Sequence, residues 1–178
     1  MSAPVPQPHP SRITPFRGNA VVAGVEPGQP ELVAITAAGL AAALGGPLYF
    51  AYADPLRITE EEFPDGSVRH VGLNPDVYDD DSWRRIEREL VAAIAEALGG
   101  SRVSWEFRYL AGRPDRALTH LARAVDAAVI VVGAGRTGAG GRLHEVLQRS
   151  VGTHLAHHQH RPVLVVPTSV VDWKTPLA

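Results

Sequence analysis

Two runs of apolar residues without a polar interruption lie in the last third of the chain: Ala127-Ala128-Val129-Ile130-Val131-Val132 and Val163-Leu164-Val165-Val166. A strand of this kind has no polar face to give to water. Both runs therefore read as strands of a parallel sheet covered by helices on its two sides. Between them lie a Gly-rich passage, Gly133-Ala134-Gly135-Arg136-Thr137-Gly138-Ala139-Gly140-Gly141, and a helical stretch through Ser150. The unit reads strand, loop, helix, strand. Its glycines let backbone N–H groups approach an anion, and a helix N-terminus behind them favours negative charge.

The same alternation runs through the preceding residues. Asn19 to Val25 predicts a first strand, ending in the turn Val25-Glu26-Pro27-Gly28. A helix from about Glu31 to Leu44 carries Leu32, Ile35 and Leu40 on its apolar side. Its alanines and Gly39 suit close approach to a sheet, and Gly45-Gly46 ends it. Pro47 to Ala53 predicts a second strand, ending at Asp54-Pro55. Residues 54–82 read as a long irregular connection holding nine of the nineteen acids, with Glu60-Glu61-Glu62 and Asp79-Asp80-Asp81 as solvated clusters. The second cluster suits the N-terminus of a helix at Ser82, and a connection this long is often a lid or a partner surface. Ser82 to Leu98 is the clearest helix, with Trp83, Ile86, Leu90, Ile94 and Ala97 at helical spacing and Gly99-Gly100 behind it. Val103 to Leu110 alternates Val103, Trp105, Phe107 and Tyr109 with polar neighbours, the pattern of an edge strand. Gly112-Arg113-Pro114-Asp115 starts a further helix, with Leu118, Leu121 and Val125 on its apolar side.

The order β-α-β-α-β-α-β-α-β argues for an α/β fold, a five-stranded parallel sheet wound on both faces. Residues 19–167 form one domain. Residues 1–18, with Pro4, Pro6, Pro8, Pro10 and Pro15, read as an extended, flexible arm, and residues 168–178 as a C-terminal tail.

Composition narrows the function. The net charge of −2 gives no electrostatic case for nucleic acid. The chain has no cysteine, which excludes disulfides, thiolate metal sites and cysteine nucleophiles. No apolar run approaches the roughly 20 residues that span a bilayer, and the N-terminus does not have the pattern of a secretory signal, so a cytoplasmic protein is expected.

Gly133-Ala134-Gly135-Arg136-Thr137-Gly138 is a G-x-G-x-x-G after a strand. A dinucleotide fold places that motif in its first β-α-β unit, with an acid about 20 residues on for the ribose. Here no acid follows Glu145 before Asp172, and no second dinucleotide half remains. A P-loop is excluded because no Gly-Lys-Ser or Gly-Lys-Thr occurs. Gln148 stands where a zinc-protease helix starting at His144-Glu145 needs its second histidine, and Ser150 lacks a G-x-S-x-G elbow. No catalytic residue is assigned. His154 and His158, four apart beside His157 and His160, share a helix face. With no acid or cysteine among them they are read as helix-end histidines, and no metal site is expected.

These pieces in this order resemble the universal stress protein family over Asn19 to Pro167. The resemblance rests on Val25-Glu26-Pro27-Gly28, the alanine-rich helix, Asp54-Pro55 and Gly112-Arg113-Pro114. It continues through Val125-Asp126-Ala127-Ala128-Val129-Ile130-Val131-Val132-Gly133, Ser150-Val151 and Pro162-Val163-Leu164-Val165-Val166. It implies a Rossmann-like, adenine-nucleotide alpha-hydrolase-like sheet of strand order 3-2-1-4-5, with ATP between the ends of strands 1 and 4. Ligands of open parallel sheets bind at such a topological switch point. Carried onto this chain, Glu26 would hold ribose and the backbone near Tyr52 would read adenine. The phosphates would lie on Gly133, Gly135, Gly138, Gly140, Arg149, Ser150 and Val151, with magnesium only as the nucleotide's companion and weak ATP hydrolysis as the enzymatic alternative the resemblance leaves. The family pattern Gly-x-x-Gly is met by Gly135 and Gly138, but the spacing to Arg149-Ser150 is one residue longer, and Arg149 replaces a glycine. The alternative is therefore a nucleotide-independent scaffold whose pocket Arg149 blocks. The resemblance also implies a homodimer through the edge strand Val163 to Val166, serving a protein partner the sequence does not name.

Overall fold

The computed structural model describes residues 9–73, 81–134 and 151–168. In chain order the elements are β1 (Val21–Gly24), α1 (Leu32–Leu44), β2 (Leu48–Asp54), β3 (Arg57–Glu62), β4 (Val68–Gly72), α2 (Ser82–Ala97), β5 (Trp105–Ala111), α3 (Pro114–Ala124), β6 (Val129–Gly133), α4 over 151–158, and β7 (Val163–Val166). A five-stranded sheet has the order β5-β2-β1-β6-β7, and every pairing in it is parallel. This is the expected 3-2-1-4-5 layout with two extra strands counted in sequence.

Side chains on the two faces of β1 separate the core into two layers, as the two-residue period of a strand requires. Val21 and Ala23 pack with Val33, Ala37 and Ala41 of α1 and Leu90 and Ile94 of α2. Val22 packs with Leu118 and Leu121 of α3, Ile130 of β6 and Leu155 of α4. Ala127 to Val132 are buried throughout, as the apolar run predicts. Side chains of this size contribute about 1.5–3 kcal/mol each when fully buried. β5 is a sheet edge, as its alternation suggested.

Helix α1 faces the sheet differently from expectation. Its buried residues are Val33, Ala34, Ala37, Ala38 and Ala41, whereas Leu32 and Ile35 are exposed and Leu40 is only partly buried. Gly39 is on the solvent side, with nothing near it. A helix apolar all round has no periodicity to mark one face, and the alanine side permits the closest approach to β1. Gly45 ends the helix in the left-handed conformation (φ 68°), its N–H donating to the Ala41 carbonyl.

The larger correction concerns the connection expected over residues 54–82, whose described part up to residue 73 is not irregular. β3 and β4 form an antiparallel hairpin that pairs Ile58 with Val71 and Thr59 with His70. The turn between them is an Asp-Gly turn. The Asp65 carboxylate accepts from the Ser67 N–H at 3.0 Å and its hydroxyl at 2.7 Å, while the Gly66 N–H donates to the Phe63 carbonyl at 3.0 Å. Gly66 is there for two reasons. Its φ is +80°, and a Cβ would come within 2.5 Å of Leu121 Cδ1 on α3. The hairpin is thus docked on the domain, with Glu62 reaching His120 at 3.2 Å and Asp65 reaching Arg108 at 3.9 Å. Three successive glutamates hide the strand pattern because the register shifts between Thr59 and Glu61. Asp81 precedes α2 but makes no side-chain cap, pairing instead with Arg84. Asp79 and Asp80 lie outside the described residues.

Of the N-terminal arm, residues 9–18 are described. Pro10–Arg12 form a short 3-10 turn, compatible with proline at the first position, and the Gly18 N–H donates to the Leu44 carbonyl. No helix among the described residues is long and apolar enough to cross a membrane.

Candidate functional site

The sheet changes winding direction between β1 and β6, and open parallel sheets hold their ligands in the crevice beyond the carboxyl ends at such a point. The turn after β1 forms one wall. Its Val25 N–H donates to the Ala51 carbonyl at 2.9 Å, and the Gln29 N–H closes it on the Glu26 carbonyl at 3.1 Å. The Glu26 N–H in turn donates to Gln29 Oε1 at 3.2 Å. Gly28, at φ +70°, supplies the sharp reversal. The other wall begins at Gly133. The Gln29 side-chain amide occupies the space a Cβ on Gly133 would need, with Thr168 Cγ2 at 2.9 Å from that point. A methyl group here would have to displace the tips of the Gln29 and Thr168 side chains, so the first turn leans directly on the end of β6. The Ala134 N–H donates to the Val166 carbonyl at 2.8 Å and fixes how the chain leaves the sheet.

Tyr52 lies beside this crevice near the end of β2. Burial, then the charges of Asp54 and Glu26, push its hydroxyl up to about 12. The two carboxylates therefore act on the same ring. Asp54 is itself buried. Its Oδ2 accepts from the Tyr109 hydroxyl at 2.7 Å and its Oδ1 from the Leu56 N–H at 2.9 Å. Burial first, and then the hydrogen bond and charge of Asp54, hold the Tyr109 hydroxyl neutral well above its ordinary range. The Tyr109 ring meets Tyr52 at 5.4 Å, His70 at 5.2 Å and Trp83 at 5.5 Å. His70 accepts from Arg57 Nε at 2.7 Å. The hairpin and the start of α2 are thus keyed to the strand end next to the crevice.

Among the residues expected to form a site, Glu26 and Gly133 come together through Gln29, and Tyr52 flanks them. Val151 is partly buried against the α3 side of the core. Gly135, Gly138, Gly140, Arg149 and Ser150 lie outside the described residues. Gln29, Asp54 and Tyr109 were given no site role from the sequence, although Asp54-Pro55 was read as the end of the second strand. Gln29 carried a signal, three residues after Glu26 in a Pro-Gly turn, whereas the Asp54–Tyr109 contact joins residues far apart in the chain. His154 and His158 do stack, at 5.3 Å, with His158 Nδ1 2.9 Å from the His154 carbonyl. No group of three or more metal-ligating side chains occurs among the described residues.

Comparison with known proteins agrees with the fold. A universal stress protein solved in complex with cAMP is 28% identical, with a TM-score of 0.56 over 86% of this chain and 99% of its own. The Archaeoglobus fulgidus universal stress protein in complex with dAMP is 21% identical, with a TM-score of 0.55 over 85% of this chain and 98% of its own. A universal stress family protein from Burkholderia pseudomallei is 18% identical, with a TM-score of 0.56 over 84% of this chain and 96% of its own. No curated protein matches the sequence. The sequence model of the Universal stress protein family matches residues 19–167, from the strand before the Glu26 turn to the end of β7. The chain belongs to the universal stress protein family.

Proposed function

We propose that this protein is a cytoplasmic stress-response regulator that binds an adenine nucleotide in the crevice between β1 and β6. The observation that carries this reading is the meeting of the Glu26 turn with Gly133 at the switch point, in a fold whose 28%-identical relative was solved with cAMP. Glu26 holds the ribose hydroxyls, because a carboxylate accepts from vicinal hydroxyls and repels phosphate. The backbone at Tyr52 reads the adenine edge. Gly133, Gly135, Gly138, Gly140, Ser150 and Val151 receive the phosphates, Arg149 pairs with them, and magnesium accompanies a triphosphate only. Binding acts by ordering the loop from Gly133 to Arg149, a change that a partner protein senses. No turnover is required.

The assembled form is a twofold dimer through β7. Leu164 and Val165 are 39% and 47% exposed on a sheet edge that bears no charge, a surface suited to pairing with a second copy.

A second reading has one sequence feature in its favour. Arg149, at the position of a family glycine, fills the phosphate pocket, and the protein works as a nucleotide-independent dimeric scaffold. Isothermal titration with Mg-ATP, AMP and cAMP, beside an Arg149→Gly variant, separates the two. Micromolar binding by the parent supports the regulator. Binding by the variant alone supports the scaffold. Silence from both removes the nucleotide altogether.

A further inference from the structure

The backbone decides which way the Gln29 side chain faces. Its Oε1 accepts from the Glu26 N–H at 3.2 Å. Only the carbonyl limb of an amide can accept, so the NH2 limb must take the other side. That limb, Nε2, lies against Gly133 at the end of β6, in the place a Cβ would take. It donates to no group among the described residues. Gln29 and Glu26 are both partly buried rather than sealed, so a ligand can reach them. The turn after β1 thus presents a donor, fixed in direction, across the space between the two strand ends.

The start of α1 meets the same point. Val33, the second residue of that helix, brings its Cγ2 to 3.4 Å from the place of the missing Cβ. Glu31 stands at the cap, exposed, and makes no side-chain hydrogen bond to the first turn. The positive end of a helix favours negative charge within about one turn. An oriented amide donor and a helix N-terminus, two features of separate origin, therefore converge on Gly133. Both suit an anionic oxygen.

On the reading that the crevice holds an adenine nucleotide, we infer that Gln29 donates through Nε2 to the first phosphate, the one joined to the ribose. Gln29 sits between Glu26, which takes the ribose, and Gly133, where the phosphates begin. An N–H bonded to a charged oxygen is stronger than one bonded to a neutral oxygen. Every 5′-nucleotide carries this phosphate, whether monophosphate, triphosphate or cyclic ester. Gln29 therefore separates nucleotides from nucleosides, and leaves the length of the phosphate chain to be read elsewhere.

The test is isothermal titration of the full chain with AMP and with adenosine, beside Gln29→Glu and Gln29→Ala. In Gln29→Glu the side chain still accepts from the Glu26 N–H, so the turn is kept while the donor becomes a negative charge. AMP should weaken about ten-fold or more, the worth of a hydrogen bond to a charged group, while adenosine is nearly unchanged. Gln29→Ala should weaken AMP in the same direction but less. By NMR the Gln29 side-chain amide protons, identified by their loss in Gln29→Glu, should shift with AMP and stay in place with adenosine. If AMP and adenosine weaken together, Gln29 only shapes the turn, and the inference is overturned. AMP binding that is unchanged or tighter in both variants overturns it as well, and in that case the nucleotide crevice stands without Gln29. A parent that binds neither compound overturns the crevice itself, and the role of Gln29 with it.

Discussion

Removing one hydroxyl, in Tyr109→Phe, tests how the carboxyl end of β2 is held. The Tyr109 hydroxyl donates to Asp54 at 2.7 Å, and both residues are buried. Asp54 keeps its bond from the Leu56 N–H but loses its side-chain donor at a buried position. A hydrogen bond to a charged group contributes about 1.5–3 kcal/mol. The phenyl ring preserves the contacts with Tyr52, His70 and Trp83, so the loss is confined to the hydroxyl. In a chain of this size each 1 kcal/mol moves Tm by roughly 2–4 °C, so calorimetry should find Tm lower by about 3–12 °C. The urea midpoint should fall with an unchanged slope. A cycle with Asp54→Asn should show that the two losses are coupled rather than additive. If Tyr109→Phe melts with the parent, or if the losses add, Asp54 and Tyr109 do not act as a unit and this account of the strand end is wrong.

Alkaline pH probes the same cluster. Burial, with the Asp54 and Glu26 charges, pushes Tyr52 up to about 12, and Tyr109 moves the same way. Their unfolded pKa is about 10, so the unfolded chain loses these protons first. The stabilisation they bring is complete below about pH 10 and falls as pH rises toward the folded values. Urea midpoints across that window should decline in the parent and decline less in Tyr109→Phe. Gly133→Ala should lose no more than about 1 kcal/mol, the low end of overpacking costs, because the far end of the Gln29 side chain must move aside. Adding Gln29→Ala should recover most of that in denaturation curves, and failure to recover would mean that Gln29 is not the obstacle. Val165→Lys places a charge on the β7 edge and should give a monomer by light scattering, while a persistent dimer would locate the interface elsewhere. Gly66→Ala should destabilise by about 1 kcal/mol or more, because the left-handed turn and the Leu121 contact both oppose a methyl group. An unchanged urea midpoint would mean that the hairpin tip does not rest on α3.

The parallel sheet was readable because its strands are buried on two faces. Ala127 to Val132 admit no polar residue, and no other element type explains such a run so close to a glycine-rich loop. Helix α2 was readable for the opposite reason, since its apolar stripe contrasts sharply with its charged side. Where contrast failed, so did the reading. Helix α1 has apolar residues on every side, and only the sheet's demand for a close approach selects Ala37 and Ala41 over Leu32 and Ile35. The hairpin was hidden by acids, although Asp65-Gly66 between Ile58 and Val71 is a turn signal with a physical basis. Within the crevice, Glu26 and Gly133 were legible as a turn and a loop. The role of Gln29 was not, because it depends on which strand end the turn leans upon. The Asp54–Tyr109 pair was equally inaccessible, since only the register of β2 with β5 brings them into contact.

The place of β1 has a consequence for how the chain comes into being. The strand at the centre of the sheet is the first to leave the ribosome, while the partner on one of its flanks, β6, begins only at Val129. β1 and β2 can pair early, with α1 between them, but Val21, Val22 and Ala23 then present an open edge until most of the polypeptide has been made. Non-local parallel pairing of this kind is slow, and an apolar edge left waiting is prone to the wrong partner. The nascent chain therefore passes through a period in which its own core strand is its main hazard. Synthesis speed and chaperone supply, which change when a cell is under strain, bear directly on how much of this protein is made in usable form.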